Sequence, residues 1–499
     1  MRLENVLAGI ASVDSSLGRI EIGGISIDSR TTRPGDLFVA LPGERLDGHR
    51  FLSAAAEAGA ASALIDREIV PAPPLPCVRV DSTPRALPAV AVRLYGDPSS
   101  RLAVTGVTGT NGKTTVTYLL ESILTAAGER AAVIGSINYR LDGTVMRTGL
   151  TTPFPHELQE VMAAAVSAGA GHFVMEVSSH SAAQGRIEGV RFDVGLFTNL
   201  SHDHLDYHGD MESYFRAKAR FFREFLPAGG KRAGMALNAD DPFGARLARE
   251  FPGAMTFGFS RDRMVHPLSV GMTWNGTDLA LATPSGALEL RSKILGAYNA
   301  SNIMAATCGA LLLGIPPRAI REGVEGLSAI PGRMEKIANG RGIHVVVDYA
   351  HTPDGLDRML GALRELAEGR VIVVFGCGGN RDRAKRPEMG RIAALRSDVA
   401  VVTSDNPRHE SPEAILSEIV PGIASTGLRK EAGDAPREEK YYLVIPDRKT
   451  AIARALSIAR PGDAVAIAGK GHENVQLIGD RSLPFDDRET VRAILAGEG

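Results

Sequence analysis

Residues 105–115 read TGVTGTNGKTT. They lie between the apolar run 102–104 and a stretch whose apolar residues recur at Val116, Leu119, Leu120, Ile123 and Leu124. Spacings of three and four put those five side chains on one helical face, and Gly128 stands where a helix C-terminal glycine belongs. The order is strand, glycine loop, helix. Glycines in such a loop let backbone N–H groups close around phosphate oxygens and the helix dipole favours the anion; Lys113 reaches the terminal phosphates and Thr114 offers a hydroxyl to Mg²⁺. The segment therefore predicts ATP binding. It is a variant of the phosphate-loop pattern, because Val107 stands where a glycine is usual, with Gly106 and Gly109 on either side. A tight turn with an exposed lysine would explain the glycines but not Gly-Lys-Thr-Thr at the first helical turn.

At 499 residues the chain has room for roughly three domains of ~150 residues each. A formal charge of −2 provides no basic field for nucleic acid and no acidic tail, so small-molecule partners are expected. The first residues, MRLENVLAGIASVDSS, contain no long apolar stretch, and no run approaches the ~18 apolar residues of a membrane span. The expectation is a cytoplasmic protein without membrane insertion, and a monomer. Cys77, Cys308 and Cys377 are isolated and odd in number, which suits neither a disulfide framework nor a cysteine-rich zinc site.

The predicted fold class is α/β in three domains. Residues 1–97 hold short apolar pieces at 25–27, 37–40 and 63–65 and end in a proline-rich stretch, reading as a small α/β domain. Residues 98–330 alternate helical patterns with strands at 131–134, 173–177, 194–200 and 235–238, a second domain on a mostly parallel sheet. After a hinge at Pro331-Gly332-Arg333, residues 331–499 form a third, Rossmann-like set with strands at 344–348, 371–375, 399–403, 442–445 and 465–468. Unusual polar residues follow these last strands directly, at 348–351, 376–382, 405–408 and 469–473. Ligands of open α/β sheets bind outside the carboxyl ends of strands, so the third domain is expected to carry a site of its own.

Several constellations carry chemistry. Glu176 ends the strand HFVME ahead of Ser178-Ser179-His180, a position from which a carboxylate holds phosphate-bound Mg²⁺ directly or through water; a surface carboxylate is the alternative. SHDHLDYHGD, residues 201–210, packs three histidines and three aspartates into ten residues. His204 and His208 have the spacing of a zinc pair, but Gly209 follows at once and the stretch continues a strand, so a loop is expected, mostly solvated or helix-capping. Lys218, among apolar residues at helical spacing, reads from composition as a snorkelling lysine. GCGGNRD at 376–382 lacks the spacing of a dinucleotide fingerprint. Arg381 and Arg408 both follow strands; as a pair they suit a substrate bearing carboxylates, which arginine grips bidentately, and otherwise they are two surface arginines.

Taken in order, TGTNGKTT, MEVSSH, TNLSHDHLDYHG, the 299–302 segment, PGRME, DYAHTPD, GCGGNRD, SDNPR and GKGHE resemble the Mur ligases, ADP-forming enzymes that add amino acids to a UDP-linked muramyl peptide in bacterial wall synthesis. The resemblance spans nearly the whole chain. It implies that Gly109, Thr110, Asn111, Gly112, Lys113, Thr114 and Thr115 hold ATP, with Asn299, Asn302, Arg333 and Asp348 also on the nucleotide. Thr114, Glu176 and His204 would serve Mg²⁺. Lys218 matches the family lysine that carries a CO₂-derived carbamate, which replaces an ammonium with an anion able to position a second Mg²⁺; Lys113, Glu176, His204 and Lys218 form the implied catalytic set. Ile27, Asp28-Ser29-Arg30 and the loop 43–48 resemble the uridine site. Thr151, Thr152, Ser178, Gln184 and Arg186 match residues lining the UDP-N-acetylmuramoyl dipeptide, although Leu150 stands where the family often has Asn.

SDNPR with GKGHE is similar to members that add the third residue, and members using meso-diaminopimelate carry the Asp-Asn-Pro-Arg found here at Asp405, Asn406, Pro407 and Arg408. Arg408 with Arg381 would pair with diaminopimelate carboxylates, while Gly469 and Glu473 receive an amino group. The implied activity is ATP-dependent amide ligation through an acyl phosphate. Two other readings stand beside it: a family member adding lysine, D-alanyl-D-alanine or polyglutamate, and a nucleotide-regulated binding protein.

Overall fold

The computed structural model of the protein describes residues 1–497 apart from 44–45, 142–143, 147–148 and 432–439. The chain divides into two compact units, one comprising Met1–Thr108, Glu129–Gly195 and Ala217–Gly234, the other Gly109–Gly128, Leu196–Arg216 and Met235–Gly499. Among the described residues no helix is long and apolar enough to cross a membrane.

In the first unit, β1 (Gly24–Ser26), β2 (Asp36–Val39), β3 (Ser62–Ile65) and β4 (Cys77–Arg79) form a parallel sheet in chain order. Leu37 and Val39 join one core, against Leu87, Val90 and Ala91, and Phe38 and Ala40 the other, against Leu52 and Ala55. With both faces covered, such strands read as unbroken apolar runs rather than alternating ones. Next come β5 (Ala103–Thr108), β6 (Ala131–Ile134), β7 (Tyr139–Leu141), β8 (Thr144–Met146) and β9 (His172–Glu176), neighbours in the order β5-β9-β6-β7-β8. β5 and β6 run parallel to β9, and β7 and β8 turn back antiparallel. β10 (Val194–Phe197) lies where the chain passes between the units and stops three residues short of its expected end. Thr198 and Asn199 leave the extended run to bond the main chain of Asn111 instead.

In the second unit the amphipathic stretch after the glycine loop forms the helix Lys113–Ala126, with Val116, Leu119, Leu120, Ile123 and Leu124 all buried and Gly128 at φ 78° beyond its end. It packs against the helices Ala297–Leu312 and Pro317–Gly326. β11 (Gly234–Asn238) and β12 (Met255–Phe257) pair in parallel. Between them and the long helix stands an antiparallel sheet of β13 (His266–Thr273), β14 (Gly276–Thr283) and β15 (Gly286–Ser292) that the parallel reading did not foresee. Its first hairpin turns at Trp274-Asn275, between the paired residues Thr273 and Gly276, and Trp274 stacks on His344 at 3.9 Å between ring centroids.

The rest of the unit is built on a seven-stranded sheet. β16 (Glu335–Ile337), β17 (His344–Asp348), β18 (Val371–Phe375), β19 (Val399–Val402), β20 (Arg429–Lys430), β21 (Tyr441–Val444) and β22 (Ala464–Ala468) stand in the order β16-β17-β22-β18-β19-β21-β20, all parallel except β16. Val373 and Phe375 face one core, Ile372 and Val374 the other. A small hairpin, β23 (Val475–Ile478) and β24 (Arg481–Pro484), follows.

Beneath the loop that follows β18 lies Arg386, 0% exposed. Its guanidinium donates to both carboxylate oxygens of Glu410 at 2.9 Å, to Glu418 at 2.9 Å and to the Gly378 carbonyl at 3.3 Å. These hydrogen bonds hold the Glu410 carboxyl down at about 2, from an ordinary 4.5. Because the folded value is the lower one, this stabilisation is complete above the ordinary value and disappears as pH falls towards 2. Glu410→Gln is expected to cost ~1–2 kcal/mol at pH 7, with the gap to wild type narrowing in urea unfolding curves taken below about pH 4.5.

Candidate functional site

The glycine loop is built by close approach. Gly109 (φ 146°) and Gly112 (φ 89°) occupy backbone regions that L side chains rarely adopt, and a Cβ at either would overlap Thr198 Oγ1 or Asn302 Oδ1, respectively. Asn302 is fixed in turn, donating to Asn299 Oδ1 at 2.7 Å, while Asn299 donates to the Leu295 carbonyl at 2.6 Å. Lys113 Nζ donates to the carbonyls of Gly109 and Thr110, both at 2.9 Å. Thr110 bonds the Ser201 carbonyl at 3.3 Å, and Thr114 and Thr115 are buried at the first helical turn.

Beside the loop lies a cavity whose lining includes Asn111, Gly112, Thr115, Asn302, Arg333 and Asp348. Arg333 donates to Thr114 Oγ1 at 3.3 Å and lies over the Tyr349 ring at 4.7 Å, yet its buried Nε has no hydrogen-bond partner. A buried guanidinium N–H without an acceptor beside a glycine cradle is what an anionic ligand would satisfy. Asp348 accepts from the backbone N–H groups of Met334 at 2.7 Å and Ala350 at 2.8 Å. Burial raises its carboxyl above the usual range, against the pull of Arg333.

The stretch 201–210 is not the loop expected. Residues Leu205–His208 form one helical turn, entered through His204 at φ 55°, because Asp203 accepts from the His204 N–H at 2.9 Å and turns the chain. Asp203 is mostly buried rather than solvated; burial opposes its charge, but His204, His351, Lys385 and Lys113 together hold the carboxyl below its usual value. His208 stacks on Tyr214 at 5.0 Å, and Asp210 caps Ser213 N–H at 2.7 Å. Among the described residues no group of three or more His, Cys, Asp or Glu side chains is placed to hold a metal ion.

In the first unit, Glu176 ends β9 at 1% exposure. It is therefore no surface carboxylate. Its oxygens accept from Ser136 N and Ser136 Oγ, both at 3.0 Å, and Ser136 Oγ lies 3.1 Å from Thr151 Oγ1. Thr152 Oγ1 donates to the Glu176 carbonyl at 2.8 Å and accepts from Ser178 N at 3.1 Å. Arg186 donates to the Thr152 carbonyl at 3.2 Å and to Gln184 Oε1 at 2.6 Å, over the Phe154 ring. The structure thus brings Thr151, Thr152, Glu176, Ser178, Gln184 and Arg186 to one strand end. Lys218, on the helix Met211–Arg220, is 1% exposed, which corrects the snorkelling reading: its ammonium does not reach water. Ile27 and Ser29 follow β1 beside the Asp28–Arg30 ion pair, whose nearest approach is 2.6 Å; Glu44 and Arg45 of the loop 43–48 lie outside the described residues.

A third cluster forms at the carboxyl ends of β18, β19 and β22. Asn406 donates to Glu473 at 2.7 Å and accepts from Lys470 at 3.1 Å and from the Leu477 N–H at 3.0 Å. A Cβ at Gly469 would overlap the Asp405 carboxylate, and one at Gly379 the Pro407 carbonyl, so the loops interlock. Arg408 sits at φ 52°, held by backbone bonds to Leu477 and Gly479, and donates to the Gly379 carbonyl at 2.9 Å. Burial, and after it the neighbouring Arg381, pull its guanidinium below the usual value, against Asp405 and Glu473.

Three family models match the chain: the Mur ligase family catalytic domain at residues 21–95, the Mur ligase middle domain at 107–310 and the Mur ligase glutamate ligase domain at 332–471. A protein of Geobacter metallireducens named UDP-N-acetylmuramoyl-L-alanyl-D-glutamate--2,6-diaminopimelate ligase is 44% identical over 99% of this chain and 98% of its own. The chain belongs to the Mur ligase family. A Gloeobacter violaceus Mur ligase of the same name is 45% identical, again over 99% and 98%. A solved structure bearing that name superposes with a TM-score of 0.69 at 30% identity, covering 100% of this chain and 99% of the other.

Sequence reasoning passed over several residues of this Mur ligase. Ser136, which occupies both oxygens of Glu176, stands two residues after β6, where a polar residue past a buried strand was the available signal; Lys470, 0% exposed, lay in the polar stretch 469–473 but was given no role. If the close approach of Gly112 to Asn302 shapes the loop, Gly112→Ala will destabilise the protein by ~1–3 kcal/mol, more than Gly128→Ala, where φ is also positive but the space is open. Paired denaturant titrations check this, and equal losses would contradict it.

Proposed function

We propose that this Mur ligase joins meso-diaminopimelate to UDP-N-acetylmuramoyl-L-alanyl-D-glutamate, using ATP and releasing ADP and phosphate, as a cytoplasmic step of peptidoglycan precursor synthesis. The observation that carries the choice of amino acid is Arg408, half-buried beside Arg381 at the end of β19 within Asp-Asn-Pro-Arg. Diaminopimelate has a second carboxylate that lysine lacks, and a half-buried Arg408 with the exposed Arg381 beside it suits it. Asp405, Asn406, Pro407, Gly469 and Glu473 shape the rest of that subsite, with Lys470 holding Glu473 at 3.0 Å. The relatives that share this chain's full length at 44–45% identity are named for the same reaction.

In this reading residues 1–97 hold the UDP-sugar through Ile27 and Ser29, 98–330 the nucleotide, and 331–499 the incoming amino acid. Thr151, Thr152, Ser178, Gln184 and Arg186 line the muramyl dipeptide. ATP lies along Gly109–Thr115, with Asn302, supported by Asn299, and Arg333 and Asp348 around it. The D-glutamyl carboxylate attacks the γ-phosphorus of ATP, giving an acyl phosphate and ADP; the diaminopimelate amine then attacks the acyl carbon, and the tetrahedral adduct collapses with loss of phosphate. Lys113 counters charge on the transferring phosphoryl group. Thr114, Glu176 and His204 offer the hard oxygen and imidazole donors suited to Mg²⁺, which keeps waters and phosphate oxygens among its ligands and so needs few protein groups. A carbamate on Lys218 would replace a buried cation with an anionic oxygen donor. When bound, Mg²⁺ supplies neutralisation of phosphate charge.

The test is ADP and phosphate release with ATP, Mg²⁺ and the UDP-dipeptide, comparing meso-diaminopimelate, lysine and D-alanyl-D-alanine. Release with diaminopimelate alone is expected, with a UDP-tripeptide by mass; lysine or D-alanyl-D-alanine dependence would overturn the assignment of amino acid. Lys113→Ala is expected to abolish turnover, and full activity in that variant would refute the nucleotide role. Arg408→Ala is expected to raise KM for diaminopimelate at least tenfold while leaving KM for ATP unchanged.

A further inference from the structure

In DYAHTPD the last residue, Asp354, opens the helix Pro353–Leu366. An acidic residue in a first helical turn is ordinarily explained by the helix dipole and by capping. Here the cap is already supplied by Thr352, whose Oγ1 accepts from the Gly355 N–H at 3.2 Å. Asp354 is turned to another task. Its Oδ2 accepts from Asn111 Nδ2 at 2.8 Å and from Ser201 Oγ at 3.1 Å, while Oδ1 accepts from Arg358 Nε, one turn along the helix, at 2.8 Å.

Asn111 is the residue before Gly112 and Lys113 in the glycine loop. Its main chain is pinned on both sides by the residues after β10: its N–H donates to Asn199 Oδ1 at 2.9 Å, and its carbonyl accepts from Thr198 Oγ1 at 2.6 Å and Asn199 Nδ2 at 3.1 Å. The side chain bonds Ser201 Oγ at 3.3 Å as well as Asp354. Asn111 therefore has its backbone held by the middle-domain segment and its amide held by a carboxylate 243 residues away, within the segment matched by the glutamate ligase model. Asn111, Gly355 and Arg358 all line the cavity beside the loop. An exposed i,i+4 pair such as Asp354–Arg358 contributes only ~0.3–0.5 kcal/mol, so the ion pair alone gives little reason for an acid at this position. The bonds to Asn111 and Ser201 do.

We propose that Asp354 is a positioning residue for ATP: it sets the nucleotide loop through Asn111, so that the phosphate cradle is complete only with the start of the helix Pro353–Leu366 seated against it. The inference rests on the ATP reading given above. Linkage makes the effect reciprocal, since a contact that favours the nucleotide-binding form of the loop is itself favoured by nucleotide. Arg358 offsets the carboxylate that this arrangement brings near the phosphates.

The experiment is a double-mutant cycle on the full-length protein, with Asp354→Ala, Asn111→Ala and the pair, reading KM for ATP, KM for meso-diaminopimelate, kcat and the thermal midpoint. Asp354→Ala is expected to raise KM for ATP about tenfold and leave KM for diaminopimelate and the midpoint little changed. Asn111→Ala should do the same, and the double variant should be no worse than either single one. Asp354→Asn retains one oxygen for Asn111 and should recover most of the ATP affinity. Unchanged KM for ATP in Asp354→Ala, or losses that add in the double variant, would overturn the inference. A loss of thermal stability with kinetic constants intact would likewise reduce Asp354 to a structural residue. Calorimetric titration with a non-hydrolysable ATP analogue separates the two levels of the argument. Absence of binding by the wild-type chain defeats the ATP reading and the inference with it, whereas tight wild-type binding matched by Asp354→Ala defeats the inference alone.

Discussion

The glycine loop at 109–112 lies against the residues that follow β10 because Gly109 has no side chain; a single methyl group there would occupy the place of Thr198 Oγ1. That close approach governs what surrounds it. It brings Thr198 and Asn199 within reach of the Asn111 main chain, ends β10 early, and aims the helix Lys113–Ala126 so that its apolar face packs on Ala297–Leu312. Gly112 repeats the device on the other side, admitting Asn302. The loop is shaped by steric exclusion from both sides and then held by hydrogen bonds, an economical way to preorganise N–H donors for an anion.

The same principle recurs at the carboxyl ends of β18, β19 and β22. Gly376, Gly379 and Gly469 each stand where a Cβ would overlap Thr403, Pro407 or Asp405, so three loops from three strand ends interlock with almost no space between them. Arg386 lies beneath, its guanidinium spread over two glutamates and the Gly378 carbonyl. Burying such a group without partners would cost several kcal/mol; paired through both terminal nitrogens, it fixes the loop that carries Arg381. Arg408 is held at a positive φ by backbone bonds on both sides, a conformation costing about 1–3 kcal/mol that persists where surrounding structure enforces it.

Buried charge occurs in both units. Glu176, Lys218, Asp348 and Lys470 are all nearly or fully excluded from solvent, a condition rare for such residues unless they are paired. Ser136 satisfies Glu176, two backbone N–H groups satisfy Asp348, and Asn406 with Glu473 satisfies Lys470. Carboxylates and ammonium groups held this way cannot relax into water, so their charge stays directed at whatever occupies the adjoining space.

The α/β class was legible in the chain because each parallel strand, covered on both faces, leaves an unbroken apolar run such as VIVVF at 371–375. The order of motifs, from TGTNGKTT to GKGHE, was enough to recognise the family. The antiparallel sheet β13–β15 was missed because its strands are partly exposed and their pattern was read within a parallel scheme. Lys218 shows the limit of local reading: helical spacing with apolar neighbours describes a snorkelling lysine and a buried one equally well, and only packing from distant segments decides between them. Ser136, Lys470 and the reach of Asp354 to Asn111 across 243 residues were likewise settled by tertiary structure. Periodicity and glycine spacing are properties of the local chain, whereas the partner of a polar group depends on which strand ends the sheet order brings side by side.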